Sequence, residues 1–414
     1  MSRVRRALTD AVAPLRGGGR GWVLLTVAVG WLFTLGLRFL VPALLPQVKD
    51  TFHLDNAGAG LAVTVIWGCY ALMQFPAGLL ADRVGERTVL AASLALSAGS
   101  LALLAVAPLF VVFLAGAAAF GVGSGLYGPA RGTSLSKAFP RNDGAAFGIT
   151  LAAGSLGSAI IPLVAGTAVG VVGWRLLVGG TIPAFLFVAV LAWTTLPDPI
   201  DAGVSPDGGD PATERSPSLP EVLRGLPRAL RNRNVILAGL GLTFYLFAFQ
   251  GLTAFLPTYL VAQEGIDQSV AGGIFAVLFV GGAVSQLAVG SAADRYGARP
   301  TLVVVAAVGV LTLLAVPVAD GRPVWVGLVF LLGTRMAIAP VTNAYVVARL
   351  PPDVRGAAWG LLRTCLFLVG STGSVFVGAM ADADRFDAAF LALGGITAVA
   401  VVCYAGLTPR APRL

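Results

Sequence analysis

The stretch GLLADRVGERTVL, Gly78 to Leu90, recurs as GSAADRYGARPTL, Gly290 to Leu302, at an offset of 212 residues. The same offset aligns PRNDGAAFGI, Pro140 to Ile149, with PDVRGAAWGL, Pro352 to Leu361, and pairs Gln74 with Gln286 and Asp55 with Asp267. A constant offset over so long a stretch leaves no net insertion, so one unit is present twice. Within the repeated loop, Gly85 and Gly297 permit a tight turn between helices. Asp82 and Asp294 can accept bonds from the free N–H groups of a nearby helix start, where the macrodipole favours an anion.

Composition says what the repeated unit is made of. Of the 414 residues 57% are apolar and only 12% are charged, about half the charge of an ordinary soluble domain. Polar or Gly/Pro breaks cut the chain into twelve apolar runs, each near the roughly 20 residues that a helix needs to cross the hydrocarbon core. They cover approximately 22–45, 57–80, 88–106, 109–135, 144–169, 174–195, 235–260, 269–291, 301–318, 323–348, 356–380 and 386–407. The first run is too long for a signal-peptide core and lacks a small-residue cleavage site, so it reads as a retained span. The reading divides the chain into an N-terminal segment 1–21, a six-helix unit 22–196, a linker 197–234, a second six-helix unit 235–407 and a tail 408–414. The linker opens polar and Pro-rich. It closes on Leu219, Leu223, Leu226 and Leu230 at helical spacing among arginines, a pattern open to an amphipathic surface helix or a solvated basic segment.

The net charge of +8 is a topology signal. With the N-terminus inside, twenty Lys and Arg fall in cytoplasmic segments, while Lys49, Arg175, Arg322 and Arg385 make the four in external loops. That bias puts both termini in the cytoplasm and removes the need to invoke nucleic acid. Cys69, Cys365 and Cys403 all lie in apolar runs and His53 is the single histidine. This is neither a disulfide framework nor a metal cluster, and no span holds a nucleophile with a base beside it. The expectation is a protein that is no enzyme and carries no cofactor.

Two six-helix repeats, with Gly78, Leu80, Ala81, Asp82, Arg83, Gly85 and Arg87 in one loop and Gly290, Asp294, Arg295, Gly297 and Arg299 in its copy, resemble the major facilitator superfamily. Glu86 stands where that family usually has a basic residue, and Ala292 where it has Leu. The resemblance implies an all-α integral membrane fold of twelve transmembrane helices in two pseudo-symmetric bundles, working by alternating access. It implies a gating role for Asp82, Arg83, Gly85, Asp294, Arg295 and Gly297, and a central path lined by spans one, four, seven and ten. The expected setting is the plasma membrane and the expected state a monomer.

All twenty acidic residues fall in loops or at span ends, whereas four arginines fall inside spans. A charge at membrane depth is costly and ordinarily faces a polar cavity. By depth, Arg335 lies near the midplane, Arg38 in the outer half and Arg363 in the inner half. Arg131 lies near the cytoplasmic end, where it could snorkel. The other reading for each is an arginine bonded to backbone carbonyls of a broken helix. Tyr245, Gln250 and Thr253 lie on span seven. Gln250 is close to the repeat equivalent of Arg38, and Asn343 is the repeat equivalent of Arg131. Guanidinium forks without carboxylates suit an oxyanion. The expected substrate site is therefore Arg38, Arg335, Arg131, Arg363, Tyr245, Gln250 and Asn343, and the expected cargo a small organic anion.

The context GCYALMQFPAG, Gly68 to Gly78, with an arginine in span one, resembles the anion:cation symporter and organophosphate antiporter branches. Gly148, Gly157, Ile161-Pro162 and Ala165-Gly166 partly resemble the signature of drug exporters, which keeps export of lipophilic compounds as an alternative. A membrane receptor that binds without transporting is the alternative of another class. No span carries a carboxylate or histidine for proton coupling, and the coupling ion, H+ or Na+, stays open.

Overall fold

A computed structural model describes residues 20–140, 142–197, 231–350 and 355–408. The linker segment Leu219 to Leu230 lies outside the described residues. All regular structure among them is helical, as it must be where no water can satisfy a free backbone group. Twelve helices are long and apolar enough to cross a membrane. They are α1 (Arg20–Phe52), α2 (Asn56–Val84), α3 (Glu86–Val106), α4 (Phe110–Ala138), α5 (Asp143–Val172) and α6 (Trp174–Thr195), then α7 (Arg233–Ala262), α8 (Gln268–Tyr296), α9 (Ala298–Val318), α10 (Arg322–Val347), α11 (Ala358–Asp382) and α12 (Phe386–Ala405). The chain is a multi-pass membrane protein, and the twelve spans among the described residues bring residues 20 and 408 to one face. Exposed apolar side chains such as Leu287 and Val171 present the hydrocarbon surface.

Two of the helices are interrupted by a short 3₁₀ turn within the span. A short 3₁₀ turn, Leu37–Phe39, divides α1, and another, Thr334–Ala337, divides α10. Pro42 and Pro340 follow these turns. A proline has no N–H for the carbonyl four residues back and crowds it, which releases the carbonyls of Arg38 and Met336 and lets the backbone tighten there. Each turn carries one of the intramembrane arginines.

The repeat is visible in three dimensions. Gly85 (φ 84°, ψ 153°) and Gly297 (φ 93°, ψ 156°) close α2 and α8 in the same positive-φ conformation, which an L side chain rarely adopts. Their N–H groups donate to the equivalent carbonyls of Ala81 and Ala293. A Cβ on Gly121 of α4 would collide with the carbonyl of Ile66 on α2, and one on Gly333 of α10 would collide with that of Leu278 on α8. Both pairs are related by the 212-residue offset. Close backbone contact of this kind is what holds helices together where lipid gives no hydrophobic drive.

Helices α2 and α11, and likewise α5 and α8, pack across the two bundles. On the face away from the termini these contacts are tight. The Asp382 carboxylate at the end of α11 accepts from the Asn56 N–H (2.7 Å), the Asn56 side-chain amide (2.8 Å) and the Ala57 N–H (2.8 Å). It thus caps the first turn of α2 from the opposite bundle, satisfying donors that no residue within the helix can reach. Lys49 donates to the Asn56 side-chain oxygen. Deeper in, Thr64 Oγ1 donates to the Ser371 carbonyl (2.9 Å). Across the other seam, Gln268 donates to the Ala43 carbonyl (2.9 Å), and Gly166 faces Gly272.

Replacing Asp382 with Ala removes three bonds between the bundles. Spin labels on the α2 and α11 ends of this face are expected to show a larger share of long distances in Asp382→Ala than in the parent. Unchanged distance distributions would mean that close helix packing alone holds the face shut.

Candidate functional site

Between the bundles lies a cavity of about 550 Å³ with walls from α1, α2, α4 and α5 on one side and α7, α10 and α11 on the other. Gln74, Arg131, Asn343 and Trp359 bring the wall toward the termini-side ends of their helices. Six of the seven residues expected at a substrate site line it: Arg38, Arg131, Arg363, Tyr245, Gln250 and Asn343.

Arg335, placed first by depth, is not on its walls. Its side chain is wholly buried inside the second bundle. There Nη1 donates to the Gly309 carbonyl of α9 (3.3 Å) and Nη2 to Thr397 Oγ1 of α12 (3.3 Å). Its guanidinium carbon lies 5.5 Å from the centre of the Tyr245 ring. The alternative reading, an arginine tied to a neighbouring backbone at a helix break, describes its position. Counting residues along α10 gives a position along the helix and leaves open the direction of the side chain, which rotation about the helix axis sets; Arg335 points into the bundle. Thr253 likewise turns inward, its hydroxyl donating to the Phe249 carbonyl (2.9 Å).

Arg38 is 1% exposed and sits among three rings, with its guanidinium carbon 3.9 Å from the centre of Tyr70, 5.1 Å from Trp67 and 5.3 Å from Trp31. Its Nε donates to the Thr34 carbonyl (3.3 Å), while Nη2 has no partner. Arg131 lies 4.4 Å from the Trp31 ring, and its Nε and Nη1 are buried without partners. Arg363 lies 5.3 Å from Phe367, and its Nε is also without a partner. Trp31 thus stands between two arginines, braced by stacking on Tyr127, whose hydroxyl donates to the Val27 carbonyl (2.9 Å). Aromatic faces stabilise a cation without neutralising it. Three positive charges therefore share one cavity whose described walls include no carboxylate and no histidine.

The aromatic cage was missed at the level of sequence. Its signal is spacing: Trp31 and Arg38 are seven residues apart, and Trp67 and Tyr70 are three apart, so each pair shares a helix face. What spacing leaves out is that α1 and α2 turn those faces toward each other. The loop residues Asp82, Arg83, Asp294 and Arg295 sit in the last turns of α2 and α8, away from the cavity, beside Gly85 and Gly297. Nearby, Glu86 forms an ion pair with Lys137 at the end of α4 (2.6 Å), which ties the first of these loops within its own bundle.

Comparison with known proteins adds to this geometry. The family model described as Major Facilitator Superfamily matches residues 26–374 and 261–414. A Pseudomonas aeruginosa protein named transcription regulatory protein OpdE is 24% identical over 95% of this chain and 96% of its own length. A protein of Mycobacterium tuberculosis strain CDC 1551 named uncharacterized MFS-type transporter is 28% identical over 93% of this chain and 85% of its own. Among solved structures, a bacterial homologue of the human lysosomal transporter Spinster, inward-facing and occupied, matches with a TM-score of 0.78 over 93% of this chain and 96% of that one, at 17% identity. The nucleoside transporter NupG matches with a TM-score of 0.75 over 92% and 98%, at 15% identity. At such identities the two structures speak to the fold.

The arginines should separate by thermal unfolding without ligand. Arg335→Gln leaves bonded groups of α9 and α12 unmatched and is expected to cost about 1–3 kcal/mol, seen as a lower melting temperature. Arg131→Gln removes one of three mutually repelling charges, so its melting temperature is expected to stay level or rise. The reverse order would contradict the placement of these two side chains.

Proposed function

The chain belongs to the major facilitator superfamily, and from that premise we propose that this transporter carries a small organic anion through an arginine-lined cavity by alternating access. One observation carries the reading. Arg38, Arg131 and Arg363 reach a single cavity with buried N–H groups left unpaired and no carboxylate on the described walls to balance them. Unmatched charges at membrane depth are costly, and an oxyanion supplies both the missing charge and acceptors for the free guanidinium edges. Gln250 and Asn343 offer amides on the facing wall.

With the positive-inside orientation, both termini are cytoplasmic and the tightly packed face is extracellular, so this conformation is closed to the outside. The plasma membrane is the proposed location and a monomer the proposed state. The described cavity walls carry no carboxylate or histidine, which favours anion exchange, sodium coupling or facilitated diffusion over a proton relay through the protein. The repeated loops are proposed to latch the cytoplasmic ends in the opposite state, through Asp82, Arg83, Asp294 and Arg295 with Gly85 and Gly297 shaping the turns. Two other readings have specific support. The aromatic walls would suit export of lipophilic compounds, and the regulatory name of the Pseudomonas aeruginosa relative would suit a receptor that binds without transport.

Purified protein titrated with organic anions, organic cations and neutral lipophiles separates the first two readings. An anion at a hundredfold excess over its Kd is expected to stabilise the fold by about 2.7 kcal/mol, with the effect lost in Arg38→Gln and Arg131→Gln. Stabilisation by lipophilic cations that survives in both variants would overturn the anion reading in favour of drug export. Uptake of the stabilising anion into proteoliposomes is expected as well, and binding without uptake would point to a receptor. For the loops, Asp82→Asn is expected to slow transport and to change the balance of inward- and outward-open states. A variant unchanged in both would remove the latch.

A further inference from the structure

The cavity has two unlike poles. On one side the guanidiniums lie along a continuous run of rings: Arg131 against Trp31, Trp31 against Arg38, Arg38 against Tyr70, Tyr70 6.1 Å from Phe367, and Phe367 against Arg363. On the other side, α7 and α10 contribute no cation to the wall. Arg335, the arginine of α10, is turned into the bundle behind Tyr245. What α7 presents instead is a pair of rings one helical turn apart. Tyr245 and Phe249 stack with centres 5.7 Å apart and planes at 25°, and both line the cavity. Met336, Ala339 and Pro340 of α10 continue this wall, which also carries the uncharged amides of Gln250 and Asn343.

A bare oxyanion or a short dicarboxylate would satisfy the cationic arc and leave the opposite wall facing trapped water. A cavity of about 550 Å³ falls in the range of sites that enclose a drug-sized ligand, with an apolar body held by shape and a few polar groups that fix orientation. Flat stacked rings contact a flat partner over more area than they contact a flexible chain, and aromatic pairs add attraction beyond area alone. Behind the wall, Arg335 sits against Tyr245 and is itself tied to α9 and α12, so the platform is braced from the side that the ligand does not touch.

We propose that the transported anion is amphiphilic, with one oxyanion head held by the arginine arc and an aromatic body laid against Tyr245 and Phe249, and that these two rings set the preference among anions. This rests on the anion reading of the cavity and narrows it to aromatic carboxylates and their like. The arc fixes the head at the first bundle and α11, and the platform takes the body at α7. A ligand of this shape touches both bundles at once, which is what a substrate must do to bias their relative position.

The test compares three probes on the intact protein by calorimetric titration: naphthoate, octanoate, which has the same charge on a flexible aliphatic body, and naphthamide, which has the same ring system without the charge. Naphthoate is expected to bind about tenfold more tightly than octanoate. In Phe249→Leu and in Tyr245→Leu with Phe249→Leu, both checked for monodispersity, the preference is expected to fall below about threefold, with octanoate affinity little changed. Tyr245→Phe, which keeps the ring, should keep the preference. Equal binding of naphthoate and octanoate, with naphthamide excluded, would overturn the aromatic platform and leave the anion reading standing. A preference that survives the double variant would overturn the role of these two rings. Naphthamide binding as tightly as naphthoate would overturn the anion reading itself.

Discussion

A guanidinium carried into hydrocarbon must find donors' partners and a counter-charge inside the protein, because neither water nor lipid supplies them. The four intramembrane arginines meet this constraint in two ways. Arg335 meets the need for partners at Nη1 and Nη2, with a carbonyl of α9 and a hydroxyl of α12, though its Nε is left unpaired, and these bonds fasten the interrupted α10 into its bundle. Arg38, Arg131 and Arg363 meet it only in part, with ring faces in place of carboxylates. Replacing an anionic partner with π faces keeps the charge inside the protein yet unneutralised. The electrostatic sign of the cavity follows from that difference in placement, since three of the four charges reach its walls and Arg335 does not.

The backbone breaks belong to the same scheme. A continuous helix at the levels of Arg38 and Arg335 would send each side chain along a different direction. Pro42 and Pro340 release the carbonyls that would otherwise be bonded, and the 3₁₀ turns Leu37–Phe39 and Thr334–Ala337 re-aim the two arginines. In α1 the result faces the interface between the bundles. In α10 it faces the interior of one bundle. The pseudo-symmetry of the halves thus stops at the side chains: equivalent helices hold the same backbone contacts at Gly121 and Gly333, while the charges are distributed unequally. The two halves thus combine matched backbones with a cavity whose charges lie unequally on them.

The two faces of the protein differ in the kind of contact that joins the bundles. Away from the termini, hydrogen bonds and glycine-lined seams close the gap, and the Asp382 carboxylate supplies partners for the free N–H groups at the start of α2. Toward the termini the cavity wall reaches Arg131, Asn343 and Trp359. Hydrogen-bonded caps between helices that belong to different bodies are easily remade, since each partner can return to water when the bodies separate. Such contacts suit a gate better than an apolar core would, because exposing a core to water costs far more.

By itself the sequence determined the spans, the repeat and the existence of intramembrane cations. These are properties of composition and offset: apolar length sets how often the chain crosses, and a 212-residue shift carries Gly85 onto Gly297 and Gly121 onto Gly333. It also set the depth of each arginine, since depth follows from counting residues at a fixed rise. The tertiary structure decided direction. Which side of a helix faces the partner bundle depends on rotation about the axis, and one tightened turn shifts every angle beyond it. Hence Arg335, at the midplane by count, lies outside the cavity, whereas Arg131, near the end of its span by count, lies on the cavity wall against Trp31. The cage of Trp31, Trp67 and Tyr70 around Arg38 exists only once α1 and α2 have packed, because it joins residues whose spacing within each helix is legible but whose meeting is fixed by close packing alone.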